Sequence, residues 1–548
     1  MNQVRFRPAE AVDFVVIGAG AAGGVTAKEL SAAGFRVVVL EQGPWHHESD
    51  FKHDEIDVMF RSALTNDHRK QPNTFRKTPD EKAVLQPAVE YGRMVGGGSV
   101  HFTSNYWRFH PQDFQERSLL GAVAGADLRD WPIRYEDLEP YYTKAEWDLG
   151  ISGLGGSNPF DGPRSKPYPL PPMPVKSSGV LFERAARKLG LHPFPAPVAV
   201  LSQPYRGRAA CAHCGFCESF GCEMGSKSST LAALIPAAVK TGRCEIRPNS
   251  YVRKIEVDHS RRITGAIYFD QDGREVFQRA KAVVLCANGA ETPRLLLMSR
   301  SNAFPDGLAN THGQVGKYLM FDNGAFVHGV FEHPLNEFKS IVVTRVLHDF
   351  YRSDPKRGFY GGGGIDARFD LYPAGFALDG MPKDMPQWGA EWKRAVGRYY
   401  TRMMSTLAHT TCLAVEQNSI SLDPEVKDAW GLPAMRVTFK NHPDDLKTIQ
   451  FMADRQIEIL RTAGALKVWV DPASIGEVTY SRHLMGTCRM GDDPRTSVID
   501  RWNRAHDVPN LYVVDGSSLV TSARQQPTAT IQALAYRAAD HLGNARAL

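Results

Sequence analysis

Long apolar runs are missing from this 548-residue chain. No stretch approaches the roughly 20 consecutive apolar residues that a membrane-spanning helix needs, so an intrinsic span is not expected. The opening residues, MNQVRFRPAEAV, hold no apolar signal core ahead of the first strand pattern. The expected location is therefore the cytoplasm, or the periplasm if an exported partner carries the chain. Charge of one sign is scarce too: 65 Lys and Arg against 60 Asp and Glu leave a net charge of +5, with no basic runs. That excess is too small and too scattered to suggest a nucleic-acid surface. Internal repeats and low-complexity tails are absent, which argues against solenoids and arrays. Cysteine is sparse at eight residues, yet four of them crowd into residues 211–222. What is present is an ordinary globular composition, 43% hydrophobic and 23% charged. The length suffices for a large core and for about three to four domain equivalents of roughly 150 residues.

An apolar run at residues 14–17 reads as a buried parallel strand. Residues 18–24 read as a Gly-rich turn, 25–33 as a helix and 35–40 as a second strand. This β-α-β order points to an α/β protein with a doubly wound, Rossmann-like sheet. Within it, Gly18-x-Gly20-x-x-Gly23 opens the helix. The first glycine permits the tight turn, the second admits a pyrophosphate against the backbone, and the third lets helix and strand approach. The helix N-terminus favours phosphate charge. Glu41 ends the next strand, where an acid can hydrogen-bond a ribose hydroxyl. The motif alone does not choose between NAD and FAD.

Further along, the Pro-rich residues 159–174 read as an extended surface crossing. Residues 245–284 alternate strands with turns, including an Asp272-Gly273 hairpin signal. A strand at 282–285 leads into a turn and helix. Residues 316–470 are mixed and aromatic-rich, with 361–364 read as a loop. The chain closes with a strand at 511–514, a turn, and a helix over 528–542.

Four longer motifs resemble the glucose–methanol–choline (GMC) oxidoreductase family. Residues 91–101, YGRMVGGGSVH, resemble its Gly-rich flavin loop; residues 289–297, GAETPRLLL, resemble its second signature. Residues 483–491, HLMGTCRMG, resemble its active-site histidine segment. Residues 510–517, NLYVVDGS, followed by 527–534, PTATIQAL, resemble its closing flavin-binding segment. They occur in the family's order and span nearly the whole chain. The resemblance implies a discontinuous FAD-binding domain and a substrate domain with an antiparallel sheet. We assign residues 1–135, 223–315 and 476–548 to the first and 316–475 to the second. Residues 136–222 form a linker and cysteine-cluster region. Residues 131–142, WPIRYEDLEPYY, and the cysteine cluster are similar to the gluconate and sugar dehydrogenase flavoprotein branch. The resemblance further implies flavin contacts from Arg93, Gly97, Ser99, His101, Asp515 and Gly516. His101 matches a position that in some members bonds the flavin covalently and in others packs beside it.

Alcohol oxidation needs a base for the hydroxyl proton, and a neutral imidazole suits that task. His483, in its motif, is the expected base. The family commonly places Asn or His just before the proline of the last segment; this chain has Gln526. Glutamine keeps both amide functions but is one methylene longer. The sequence leaves open whether Gln525 or Gln526 turns inward.

Cys211, Cys214, Cys217 and Cys222 follow a C-x2-C-x2-C-x4-C spacing, close to but not the same as a ferredoxin run. An iron–sulfur cluster, a structural zinc and disulfides compete for this loop. The cluster is the expectation, because the sugar dehydrogenase branch includes members with a three-iron cluster on three cysteines. The expected function is an FAD-dependent alcohol dehydrogenase acting on a sugar, polyol or related secondary alcohol. Electrons would pass through the cluster to a cytochrome, a quinone or a small partner subunit. The alternative is an oxygen-using alcohol oxidase, acting on an aromatic or xenobiotic primary alcohol, with a structural cysteine loop.

Overall fold

The computed structural model describes residues 3–544. Strand Val12–Ile17 is apolar on both faces, and every residue from 14 to 17 is buried. It takes the middle of a seven-stranded sheet, parallel to Val37–Leu40 on one side and Glu275–Leu285 on the other. Cys244–Arg247 and Leu511–Val513 extend the parallel part. Strand Glu275–Leu285 serves two kinds of neighbour. Its end, residues 280–285, runs parallel to Val12–Ile17, while its start pairs antiparallel with Ile263–Phe269. The Asp272-Gly273 signal is the turn between those two strands, with Gly273 at φ +77°.

The first helix spans Ala21–Ala32, so the turn is confined to residues 18–20 rather than 18–24. Gly23 lies inside the helix because a Cβ there would stand 1.9 Å from the Gly18 carbonyl oxygen. It resembles a turn residue in sequence but serves helix–strand packing.

A second sheet has six strands, all paired antiparallel, in the order Lys467–Val470, Asn323–Val330, Met403–Thr410, Gly363–Arg368, Val343–Leu347 and Phe194–Pro195. Side chains alternate across it, as a pleated strand requires. Met404, Ala408, Ile365 and Ala367 pack in one core with Ile449 and Met452 of helix Pro443–Thr462 and Phe182 of helix Ser177–Lys188. The intervening residues Arg368, Leu407 and His409 line a cavity on the other face. Residues 363 and 364 are strand, not loop. A Cβ on Gly363 would lie 2.5 Å from the His409 carbonyl oxygen, and one on Gly364 2.8 Å from the His348 ring. These glycines admit neighbours rather than a turn.

A third sheet joins Ser419–Lys427 and Pro433–Thr438 to Asn73–Arg76 and Val84–Leu85. Segments assigned from sequence to the substrate and FAD domains thus share one sheet. Likewise Ser177–Lys188 and Phe194–Pro195, taken as linker, pack on and extend the six-stranded sheet. Residues 159–174 form no helix or strand beyond one isolated bridge at Leu170. Among the described residues no helix is long and apolar enough to cross a membrane.

Candidate active site

A cavity of about 520 Å³ opens where the parallel strands end. Gly18 and Gly20 follow the first strand, Glu41 the second, Ala287 the third, and Asp515 with Gly516 the strand Leu511–Val513; all line the wall. Open α/β sheets bind ligands at this end of their strands. The wall is bare backbone where a phosphate would approach: the absent Cβ of Gly20 would meet only Gly97 Cα, at 3.9 Å. Gly97, at φ +53°, has no room for a side chain, since its Cβ would stand 2.7 Å from Gly20 Cα.

Glu41 accepts the amide hydrogens of Ala19 at 2.8 Å and Gly43 at 2.9 Å. Burial pushes its carboxyl up to about 7, against the pull of those amides and of Arg93. Arg93 and Gly23 stand off the cavity wall, whereas Gly97, Ser99 and His101 lie on it. Ser99 Oγ donates to the Gly96 carbonyl at 2.7 Å. His101 is buried, which pushes its imidazole down to about 4, and its Nε2 has no hydrogen-bond partner. Asp515 spends its oxygens on the chain, accepting from Ser517 Oγ at 2.6 Å and Thr292 Oγ1 at 2.5 Å.

At the other end, the cavity wall carries His483, Asp322, His409 and Gln526. Asp322 sits just before strand Asn323–Val330 and stands between two imidazoles. Its Oδ2 lies 3.0 Å from His483 Nδ1 and 3.3 Å from His409 Nδ1. The His483 approach is short but too far off line for a formal hydrogen bond, so Nδ1 is without one. Asp322 and His483 side chains are 27% and 24% exposed, and both line the cavity. Burial opposes ionisation of Asp322, but the two histidines outweigh it and hold its carboxyl far below the usual range.

Gln526, in the loop before helix Thr528–Asn544, is buried with its carboxamide nitrogen 2.6 Å from His409 Nε2. Gln525 turns away and donates to the Arg108 carbonyl. The open question between the two glutamines therefore has a geometric answer, since only Gln526 is on the cavity wall.

The cysteine loop sits against the same site. Ser219 donates its amide hydrogen to the His101 carbonyl at 2.7 Å. Buried Lys227 donates to the carbonyls of Cys217 at 2.6 Å, Phe220 at 2.7 Å and Phe102 at 3.3 Å. Glu218 accepts from Arg482, the neighbour of His483, at 3.0 Å. All eight cysteines are free, so the disulfide alternative is not realised. Among the described residues no three of the four clustered sulfurs lie within 4.8 Å of one another. Four zinc bonds of about 2.3 Å would ask for sulfurs roughly 3.8 Å apart. Cys214, the exposed thiol, instead groups with His53 and Glu223.

Asp322 and His409 are the site residues that sequence reading missed. His409 reaches the wall by strand register, opposite Gly324 and Gly364. The alternation in MMSTLAHT is the only local signal, and it does not say which face meets a cavity.

Family models described as GMC oxidoreductase match residues 12–321 and 414–535. The chain is 34% identical to 2-methyl-1,2-propanediol dehydrogenase of Mycolicibacterium austroafricanum, over 97% of this chain and 95% of the relative. It is 30% identical to the gluconate 2-dehydrogenase flavoprotein of Pantoea cypripedii, covering 96% and 92%. It is 32% identical to paromamine 6'-oxidase of Streptomyces fradiae, covering 96% and 90%. The fold is shared with pyridoxine 4-oxidase from Mesorbium loti, at a TM-score of 0.63 and 19% identity over 96% of this chain and 98% of that one.

Proposed function

The chain belongs to the GMC oxidoreductase family, and on that premise we propose that it is an FAD-dependent dehydrogenase of a sugar, polyol or related secondary alcohol. The observation that carries this reading is His483 on the cavity wall, with Asp322 at its Nδ1 and Gln526 on the same wall. When bound, FAD supplies the acceptor for a carbinol hydride. The residues present fit it: a cradle without side chains at Gly18, Gly20 and Gly97, a buried acid at Glu41, and the unpartnered His101 Nε2. Ser99, Asp515 and Gly516 complete the flavin-facing wall, Gly23 lets helix and strand close behind it, and Arg93 holds charge near Glu41.

The chain's own part in the reaction is proton handling and orientation. Asp322 favours the His483 tautomer with hydrogen on Nδ1, which leaves the Nε2 lone pair for the substrate hydroxyl. His483 takes that proton as the carbon gives up its hydride. Gln526 hydrogen-bonds the reacting oxygen. The loop closed by Ser219 and Lys227 shields this end of the cavity.

In this reading Cys211, Cys217 and Cys222 would hold an iron–sulfur cluster, with Cys214 grouped instead with His53 and Glu223. The free thiols and the direct bond between this loop and the His101 carbonyl support it. Such a cluster supplies one-electron carriage toward a cytochrome, a quinone or a small partner subunit. One observation favours the oxidase reading instead, the similarity to paromamine 6'-oxidase. The two separate on reoxidation. Alcohol-reduced protein is expected to react quickly with ferricyanide and slowly with oxygen. Rapid turnover sustained by oxygen alone would overturn the dehydrogenase assignment.

A further inference from the structure

Gln526 is asked for a hydrogen bond to the reacting oxygen, but a carboxamide has a donor end and an acceptor end of nearly the same shape. We propose that His409 is a positioning residue that turns the Gln526 carboxamide so that its NH2 group faces the reacting oxygen. The inference rests on the roles given above to His483 and Gln526.

The surroundings of His409 decide which end of the amide it meets. Its Nδ1 faces Asp322 Oδ2 at 3.3 Å. Its Nε2 faces the Gln526 carboxamide at 2.6 Å, Arg368 Nη2 at 3.2 Å and Asp366 Oδ2 at 3.5 Å. The His483 ring lies 6.4 Å away, nearly parallel, and the Trp107 ring meets it edge-on at 6.1 Å. His348, just after strand Val343–Leu347, is held neutral by burial, which pushes it down to about 3. Asp370, at the cavity wall, also pairs with Arg368 at 3.1 Å.

A protonated His409 offsets part of the negative charge in this group. Asp322, Asp366 and Asp370 carry three negative charges, and Arg368, which binds Asp366 through two hydrogen bonds and Asp370 through one, carries one positive charge. Burial disfavours the imidazolium, but Asp322 and Asp366 outweigh it and raise the His409 pKa. A doubly protonated ring donates from both nitrogens. An amide NH2 at Nε2 would then set donor against donor at 2.6 Å. With the carboxamide turned over, its oxygen occupies that place and accepts a charge-assisted bond, which typically measures about 2.7–2.9 Å. The turn also gives a partner to Gln526 Oε1, otherwise buried without one. The NH2 group then faces the cavity as a donor for the oxygen that gains negative charge.

The direction of pH dependence follows. His483 acts as base in its neutral form. His409 stays protonated below its raised pKa and becomes a neutral acceptor at Nε2 above it. The amide then turns back and presents oxygen to oxygen, so the rate falls on the alkaline side.

The test is single-turnover reduction of the FAD-loaded enzyme by alcohol, followed across pH. Wild type is expected to lose rate on the alkaline side. His409→Gln should lose the alkaline limb and run roughly 100-fold slower at the optimum, as for a lost oxyanion donor. Gln526→Leu should be similarly slow, and the double variant no slower than Gln526→Leu. Gln526→Glu keeps the shape and the His409 contact but, ionised, has no donor; it too should be slow while binding alcohol. An alkaline limb retained in His409→Gln, or a rate in Gln526→Glu within about twofold of wild type, would overturn the proposal. His483→Ala in the same assay separates the two claims. If it is slow while His409→Gln is normal, only the positioning role fails. If it is normal, the base assignment itself fails.

Discussion

Replacing His483 by alanine is expected to slow flavin reduction by alcohol about 100-fold to 10⁴-fold, the range for loss of a positioned base. FAD content should not change. The residues that form the dinucleotide wall, from Gly18 to Asp515, lie on the strand ends of the parallel sheet, while His483 comes from a loop bridged to Met320 through Met485. Deleting the imidazole leaves Asp322 with His409, so the half-buried carboxylate keeps a partner and the fold is spared an orphaned charge. Anaerobic stopped-flow absorbance reads both effects. Near wild-type reduction would sink the assignment of His483.

Replacing Cys217 by serine is expected to remove iron from the protein and, with it, electron transfer to an artificial one-electron acceptor. Cys217 is buried among Phe194, Val342 and Val343, and Lys227 binds its carbonyl. Burial pushes its thiol up to about 12, so an ordinary free thiolate is disfavoured there and a bound metal must offset that cost. Folded protein should still have its flavin reduced by alcohol, because His483, Asp322 and Gln526 are untouched. Cys214→Ser should keep its iron, since that thiol is exposed and grouped with His53 and Glu223. Iron analysis and low-temperature paramagnetic resonance check the pair. Zinc without iron in the wild type would make the loop a structural staple.

The dinucleotide half of the site was legible because its signals are local. Gly18, Gly20, Gly23 and Glu41 fall within one β-α-β unit, where spacing and side-chain type suffice. Glycine misled over bounds: the turn read at 18–24 ends at Gly20, and Gly363 and Gly364, read as loop, belong to a strand, while the packing role read for Gly23 agrees with the space around it. The reacting half was legible only where a motif named it. Asp322 and His409 stand 87 residues apart and meet through antiparallel register. No local pattern encodes that meeting. The sheet joining Asn73–Arg76 to Pro433–Thr438 was hidden for the same reason, and it cuts across the domain boundaries assigned from the family resemblance.

Whether this protein holds FAD and oxidises an alcohol carbon with His483 as base is decided by anaerobic mixing of the purified protein with a panel of sugars, polyols and simple secondary alcohols, followed in the visible spectrum. A bound flavin is expected whose absorbance bleaches with at least one alcohol, more slowly when the carbinol hydrogen is deuterium. A purified protein without flavin, or a bound flavin that no alcohol bleaches, would contradict it.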